Sequence, residues 1–325
     1  MLRLAALLAF FVSLSFGAEA QGQPKIPRIG LLSVGTDPAG PLPPQWITFF
    51  EALRQLGYVE GQSISVDRRF AGGRSEVVPG FAAELVQSKV DLIVVTGMRE
   101  VLAAHRATTT IPIVTVVAPD LVATGLIASL ARPGGNITGL TYSTAGIGEK
   151  YVELLHQAVP NATRMAVLAS RAPDQTVQTN LRDAARALNV ELLPIALVRG
   201  PEEFATFFSQ ARRDGVSGLV VTNDGVTNLH RRQVIALAAK YRLPAIYTAR
   251  EFVADGGLLA YGPSVVDLYR RAPTIVDKIL KGARPAEIPV EQPLKFDLLV
   301  NLKTARSLKL ALPQSLLVRA EEVIQ

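Results

Sequence analysis

Residues 111–142 read IPIVTVVAPDLVATGLIASLARPGGNITGLTY. The run from Ile113 to Val117 is β-branched and apolar, the pattern of a strand buried on both faces. Pro119 and Asp120 break it where such a strand should open into a loop. Residues 121–130 are spaced as a short apolar helix. Arg132-Pro133-Gly134-Gly135-Asn136 is a turn, because Pro fixes one φ and the glycines tolerate positive φ. Residues 137–142 form a further strand. Ligands of open α/β sheets bind at the C-terminal ends of the strands. The stretch therefore predicts one wall of a binding site and the exit from a first domain.

The same alternation runs to either side. Upstream, strands are expected at 28–34, 64–70 and 91–96, with helices at 45–56, 75–87 and 98–107. Downstream, helices at 147–158, 176–188, 202–213 and 227–241 alternate with strands at 164–170, 190–197, 219–222 and 245–248. A last clear strand, 258–261, precedes a long helix at 264–281. Repeated βα units imply parallel strands with right-handed crossovers. The fold class is α/β: two doubly wound parallel-sheet lobes joined by a hinge. The first lobe is expected over 27–142 plus about 263–282 and the second over 147–252. Residues 283–325 form a C-terminal segment packing across both.

Composition narrows the function. The chain has 325 residues, 49% hydrophobic, enough for two cores, and a net charge of +6. No basic run interleaves with aromatics, which argues against nucleic acid. There is no cysteine, so disulfides, thiolate catalysis and thiolate metal sites are excluded. Arg3, the apolar run 4–16 and Ala18-Glu19-Ala20 have the form of a cleavable signal peptide over residues 1–20. The run is short for the ~20 residues of a membrane span. A periplasmic protein is expected, and no heptads or spare apolar face suggest more than a monomer.

A catalytic set does not emerge, and neither a metal nor a cofactor is expected. His105, His156 and His230 each stand on a predicted helix without a second histidine at i+3 or i+4, whereas a metal needs several converging ligands. Gly-x-Ser-x-Gly is absent. Pro133-Gly134-Gly135-Asn136 follows a helix and leads into a strand, the reverse of a phosphate-binding loop. His230-Arg231-Arg232 and Arg270-Arg271 are short basic clusters, read either as solvated faces or as a docking surface. The informative residues fall at strand ends: Ser33, Thr96, Asp120, Tyr142, Ser170, Thr222, Asn223, Asp224, Thr248 and Tyr261. Trp46 joins them, in the first turn of the helix after the loop 35–44. Hydroxyls and carboxylates at one edge of both lobes suit a small polar ligand. Asp224 is the leading candidate to hold a ligand ammonium. Helix capping is the other reading of Asp120 and Asp224, and hinge packing that of Tyr142 and Tyr261.

The stretch IPIV…SLARPGGN-x-TG also resembles the periplasmic solute-binding proteins of the ABC-transporter substrate-binding family that includes tryptophan- and tyrosine-binding members. The likeness recurs in LRQLGYVEGQ (53–62), REFVADGGLLAYGPSVVDLYRRA (250–272), KILKGARPAEIPVEQPLKFDLLVNLKTARSL (278–308) and LPQSLLVRAEEVI (312–324). The family usually has Asp-Pro where this chain has Asp120-Leu121. The resemblance implies a type I periplasmic-binding fold, no enzymatic activity, and delivery of a small ligand, such as an amino acid, to an ABC permease in the inner membrane. An exported ligand sensor that presents its closed form to a signalling receptor needs the same cleft and stays open as the alternative. The signal-peptide reading predicts a mature chain beginning at Gln21. Intact mass spectrometry of protein exported by a Gram-negative host should show residues 1–20 lost; a full-length soluble periplasmic species would refute it.

Overall fold

The computed structural model describes residues 26–144 and 146–325. The expected signal peptide, residues 1–20, lies outside the described residues. The first lobe is built from β1 (Arg28–Ser33), α1 (Pro44–Gln55), β2 (Ser65–Phe70), α2 (Val78–Gln87), β3 (Leu92–Val95), α3 (Met98–Ala107), β4 (Ile113–Ala118) and β5 (Ile137–Thr141). Its sheet is wholly parallel, in the order β2-β1-β3-β4-β5. The apolar runs explain this. Ile29, Leu31, Leu92, Val94, Val114 and Val116 pack on one face, with α1. Leu32, Ile93, Val95 and Ile113 pack on the other, with α2 and α3. Successive side chains of a strand point to opposite faces, so an uninterrupted apolar run fills both cores.

The second lobe continues through α4 (Ile147–Ala158), β6 (Arg164–Ala169), α5 (Gln175–Ala187), β7 (Glu191–Leu192), β8 (Ala196–Leu197), α6 (Glu202–Arg213), β9 (Gly218–Val221), α7 (Gly225–Leu229), α8 (Arg231–Lys240), β10 (Ala245–Tyr247), α9 (Arg250–Ala254) and β11 (Leu259–Pro263). The chain then builds α10 (Val265–Leu280), β12 (Phe296–Asn301), α11 (Leu302–Ser307), α12 (Gln314–Val318) and β13 (Glu322–Ile324). Helix α10 returns to the first lobe, burying Leu268, Ala272, Ile275 and Val276 in the core that holds α1. Strands β12 and β13 extend the second sheet, ordered β13-β12-β11-β10-β9-β6-β7. The β11–β12 pair is antiparallel and its neighbours are parallel. Both sheets thus have helices on both faces, the type I periplasmic-binding arrangement.

Among the described residues the chain passes between the lobes at residues 142–144, at Pro263–Ser264 and at 291–295. These segments touch. Thr141 donates its amide to Glu291 (3.0 Å), and Ser264 donates its amide to Lys295 (2.9 Å). Arg271 of α10 pins the last crossing, pairing with Glu291 at 2.5 Å and donating to the Gln292 carbonyl at 3.1 Å.

Three local expectations are corrected. Residues 121–130 form turns rather than a helix. Asp120 Oδ1 accepts from Ala123, Thr124 Oγ1 donates to Leu121, and Gly125 takes φ +70°. The amides of Leu126 and Ile127 then both return to the Leu121 carbonyl, so no helical ladder starts. The strand expected at 190–197 is split into β7 and β8, with Pro194 between them. The helix expected at 227–241 is two, α7 and α8, meeting at His230, which leaves helical dihedrals at φ −107° and ψ 24°.

Gly139 of β5 has φ +130°, and a Cβ there would lie 2.1 Å from the Thr115 carbonyl oxygen. The irregular register between β4 and β5 brings the backbones together at this point. Gly139→Ala should therefore cost about 3 kcal/mol from combined backbone strain and overpacking, read as a lower urea midpoint; unchanged stability would refute the close approach.

Candidate functional site

The C-terminal strand ends of the two sheets face each other across a cavity of about 490 Å³. The first lobe contributes Met98 of α3, Pro119, Asp120, Ala123 and Thr124 after β4, and Tyr142, Ser143 and Thr144 after β5. The second contributes Ile147 and Tyr151 of α4, residues 171–174 after β6, Val177 of α5, Thr222, Asn223 and Asp224 after β9, and Thr248 after β10. One wall is apolar, formed by Ile147, Tyr151 and Val177 with the ring of Tyr142. The rest is polar or charged.

Asp224 lines this cavity, but its carboxylate is already engaged. Oδ1 accepts from the amides of Val226 and Thr227, at 3.1 and 3.0 Å, and from the Ser170 hydroxyl. Oδ2 accepts from the Ser170 amide at 2.6 Å and the Thr222 hydroxyl at 3.0 Å. Five donors meet about four lone-pair positions. With Thr227 it forms the capping box of α7. Burial alone would raise the Asp224 carboxyl; the hydrogen bonds from Ser170, Thr227 and Thr222 outweigh it and hold the group below the ordinary carboxylate value. Asp224 thus ties β6 to β9 and has no lone pair to spare for an ammonium.

Asp120 follows β4 in the first lobe and is differently disposed. Its Oδ1 accepts from Ala123 at 3.0 Å, and its amide donates to Ser143 Oγ at 3.0 Å. Among the described residues its other carboxylate oxygen has no hydrogen-bond or ion-pair partner. Arg171, which follows β6 in the opposite lobe, makes no ion pair or hydrogen bond within the described residues. Asn223 is held by its backbone, whose amide donates to Thr248 Oγ1 at 2.6 Å, which leaves its side-chain amide to the cavity.

Five residues expected at the site lie elsewhere. Trp46 is wholly buried. It packs edge-on against Phe49 and Tyr269, at 5.3 and 5.0 Å between ring centroids, and donates to Thr36 Oγ1 at 3.1 Å. Its helix turns it into the core because the apolar face of α1 needs a partner in α10. Ser33 and Thr96 belong to the same buried network. Thr36 and Ser33 bond at 3.0 Å, Thr96 donates to Ser33 at 3.0 Å, and Thr96 reaches Glu100 Oε1 at 3.1 Å. Ser170 is spent on Asp224. Tyr261 stacks on Phe296, 5.6 Å between centroids, beside the second-lobe core.

Glu100 escaped the sequence reading. It is buried, and Oε1 also accepts the Val34 amide at 2.8 Å. An acid in the first turn of α3, after Gly97, is favoured by the helix N-terminus and was the available signal. Arg171 and Asp174 were missed as well; both directly follow β6, where only Ser170 drew notice. Among the described residues, no three His, Asp or Glu side chains gather as a metal site would need.

The comparisons with known proteins fit this geometry. Residues 46–324 match the family described as ABC transporter substrate binding protein. The chain belongs to this family. Its members bind substrates rather than transform them. A curated relative, the tyrosine-binding protein of Clostridioides difficile strain R20291, is 27% identical over 262 residues, covering 80% of this chain and 75% of that one. Among solved structures, the ABC domain in complex with L-Trp from Streptococcus pneumoniae aligns with TM-score 0.76 and 23% identity, over 92% of this chain and 99% of that one. A ligand-free, open substrate-binding protein with adhesive properties from Clostridium difficile aligns with TM-score 0.76 and 24% identity, over 92% of this chain and all of that one. These structural likenesses establish the fold. Leu121 is wholly buried in the first-lobe core with Ile127, so packing holds this loop.

The Asp224 geometry carries a pH signature. Its folded pKa lies below the unfolded value of about 3.9. Its contribution is therefore complete above that value and is lost as pH falls through the lower folded one. Asp224→Ala should cost about 2 kcal/mol at neutral pH, and the gap to the parent should narrow below about pH 4. Asp224→Asn should also lose stability, since its amide nitrogen would face donors. Equal urea midpoints for Asp224→Asn and the parent at pH 7 would refute the saturated carboxylate.

Proposed function

We propose that this substrate-binding protein captures an amino acid with an aromatic side chain between its lobes, outside the cytoplasmic membrane, and delivers it to an ABC permease. One observation carries the ligand class. Asp120, whose carboxylate is half engaged, and Arg171, whose guanidinium is unpaired among the described residues, line one cavity from opposite lobes. A zwitterion satisfies both, and only when both lobes grip it. The apolar wall of Tyr142, Tyr151, Ile147 and Val177 suits a ring. The names of the tyrosine-binding relative and the tryptophan complex point the same way. Periplasmic binding proteins close on ligands by hinge motion, and the crossings at 142–144, 263–264 and 291–295 would serve as that hinge. Among the described residues no helix is long and apolar enough to cross a membrane, which leaves transport itself to a partner.

Calorimetry with L-tyrosine and L-tryptophan tests the reading. Asp120→Asn keeps the acceptor for Ala123 and removes the charge. It should bind at least about tenfold more weakly, a loss of ~1.4 kcal/mol, with its melting temperature unchanged. Arg171→Gln should behave alike. A parent protein that binds neither amino acid removes the ligand class, and an Asp120→Asn variant that binds as tightly as the parent removes the ammonium assignment.

A further inference from the structure

Tyr142 lines two cavities. Beyond the one described lies a second, of about 300 Å³, and the two share Pro119, Tyr142 and Asn223. Tyr142 leaves the end of β5 in the first lobe, yet its hydroxyl reaches the second lobe and donates to the Thr248 carbonyl at 3.2 Å. It also lies over β11, where a Cβ built on Gly262 would sit 2.9 Å from the hydroxyl oxygen. Thr248 lines the first cavity and Gly262 the second. The ring is thus a crossbar seated at both ends, with one chamber on each side.

The far chamber differs in character. Val117, Ala260 and Leu299 make it apolar, while Glu251 and Asp297 bring negative charge. Arg250, the cation lining it, is turned to Glu322 at 2.8 Å. Burial first, then Glu251 and Asp297, push the Tyr142 hydroxyl well above its ordinary pKa, so the crossbar keeps its proton and its hydrogen bond.

We infer that Tyr142 sets the length of ligand this protein accepts, by confining a single amino acid to the first chamber and closing off the second. The inference rests on the amino-acid reading above. A ligand that continued past the ring would have to displace a seated side chain and break its bond to Thr248. Tyr142 is in this sense a specificity-determining residue, and the open space behind it is what its removal would expose.

Calorimetry with L-tyrosine and O-(3-aminopropyl)-L-tyrosine tests this; the second probe carries a cationic extension matched to Glu251 and Asp297. The parent should favour L-tyrosine at least tenfold over the extended probe. Tyr142→Phe keeps the ring and should keep that preference. Tyr142→Ala, or Tyr142→Leu should the alanine variant fold poorly, should bind the extended probe at least tenfold more tightly than the parent does. A parent that binds both probes equally, or an alanine variant that gains nothing, overturns the inference. A second readout needs no amino acid: p-cresol, the deleted side chain, should raise the melting temperature of Tyr142→Ala and not of the parent. Should the parent bind neither L-tyrosine nor the extended probe while p-cresol still stabilises only the variant, the amino-acid reading falls and the crossbar stands. Should p-cresol leave the variant unchanged, the crossbar falls.

Discussion

A parallel sheet covered by helices on both faces has only its strand ends to offer a ligand. That constraint governs this molecule. In β1, Leu31 goes to the core beneath α1 and Leu32 to the core beneath α2. In β9, Val220 and Val221 divide between the two second-lobe cores in the same way. Inside the central strands β3 and β9 every position is buried, so no polar group there meets solvent. The chemistry collects one or two residues past the strand ends: Asp120 after Ala118, Tyr142 after Thr141, Thr222 after Val221, Thr248 after Tyr247. Because the strands of each lobe run in register, these residues converge on one edge. Two such edges, opposed, make the cleft.

Convergence at an edge does not by itself make a contact residue, as the two aspartates show. Asp224 and Asp120 each follow a central strand, and each caps a turn. Around Asp224 the backbone offers the amides of Ser170, Val226 and Thr227, and side chains add two hydroxyls. A buried carboxylate so surrounded is a structural anchor, stabilised as an anion by its own lobe. Around Asp120 the turn uses one oxygen for Ala123. The remaining charge has no partner on its own side of the cleft, so a cation arriving there gains more than it would at Asp224. The two carboxylates line one cavity and are opposite in what they can still bind.

Much of this was legible in the chain. The β-branched runs gave the strands, and the helix spacing gave α4, α6 and α10 to within a residue. The departures have local causes that periodicity does not encode. Residues 121–130 carry helical spacing, yet Asp120, Thr124 and Gly125 close a turn on the Leu121 carbonyl first. Trp46 sits where a helix N-terminus meets the cleft edge, yet side-chain direction within that first turn sends it to Tyr269. Whether Asp224 was a cap or a contact could not be read from Asn223-Asp224 alone. The answer lies in Ser170, which stands fifty-four residues away in sequence and beside it in space. That Asp120 and Arg171 line one cavity from opposite lobes was invisible for the same reason, since it depends on how two lobes face each other.

The path of the chain from Val265 to its C-terminus ties the lobes together. Helix α10 is second-lobe in sequence order but packs against α1, and β12 and β13 then return to complete the second sheet. Neither lobe is a continuous piece of chain, so relative motion must be taken up at the crossings. Those crossings are bonded to one another, through Thr141 with Glu291 and Ser264 with Lys295, which favours a common axis over independent flexing. Tyr142 is the first residue of one crossing. A group close to a rotation axis moves less than one at the rim of the cleft. If the lobes close on a ligand as proposed, the bond from Tyr142 to Thr248 would move less than contacts at the rim of the cleft. The wall would then fix how much ligand fits, and Asp120 and Arg171 would respond to whether it is there.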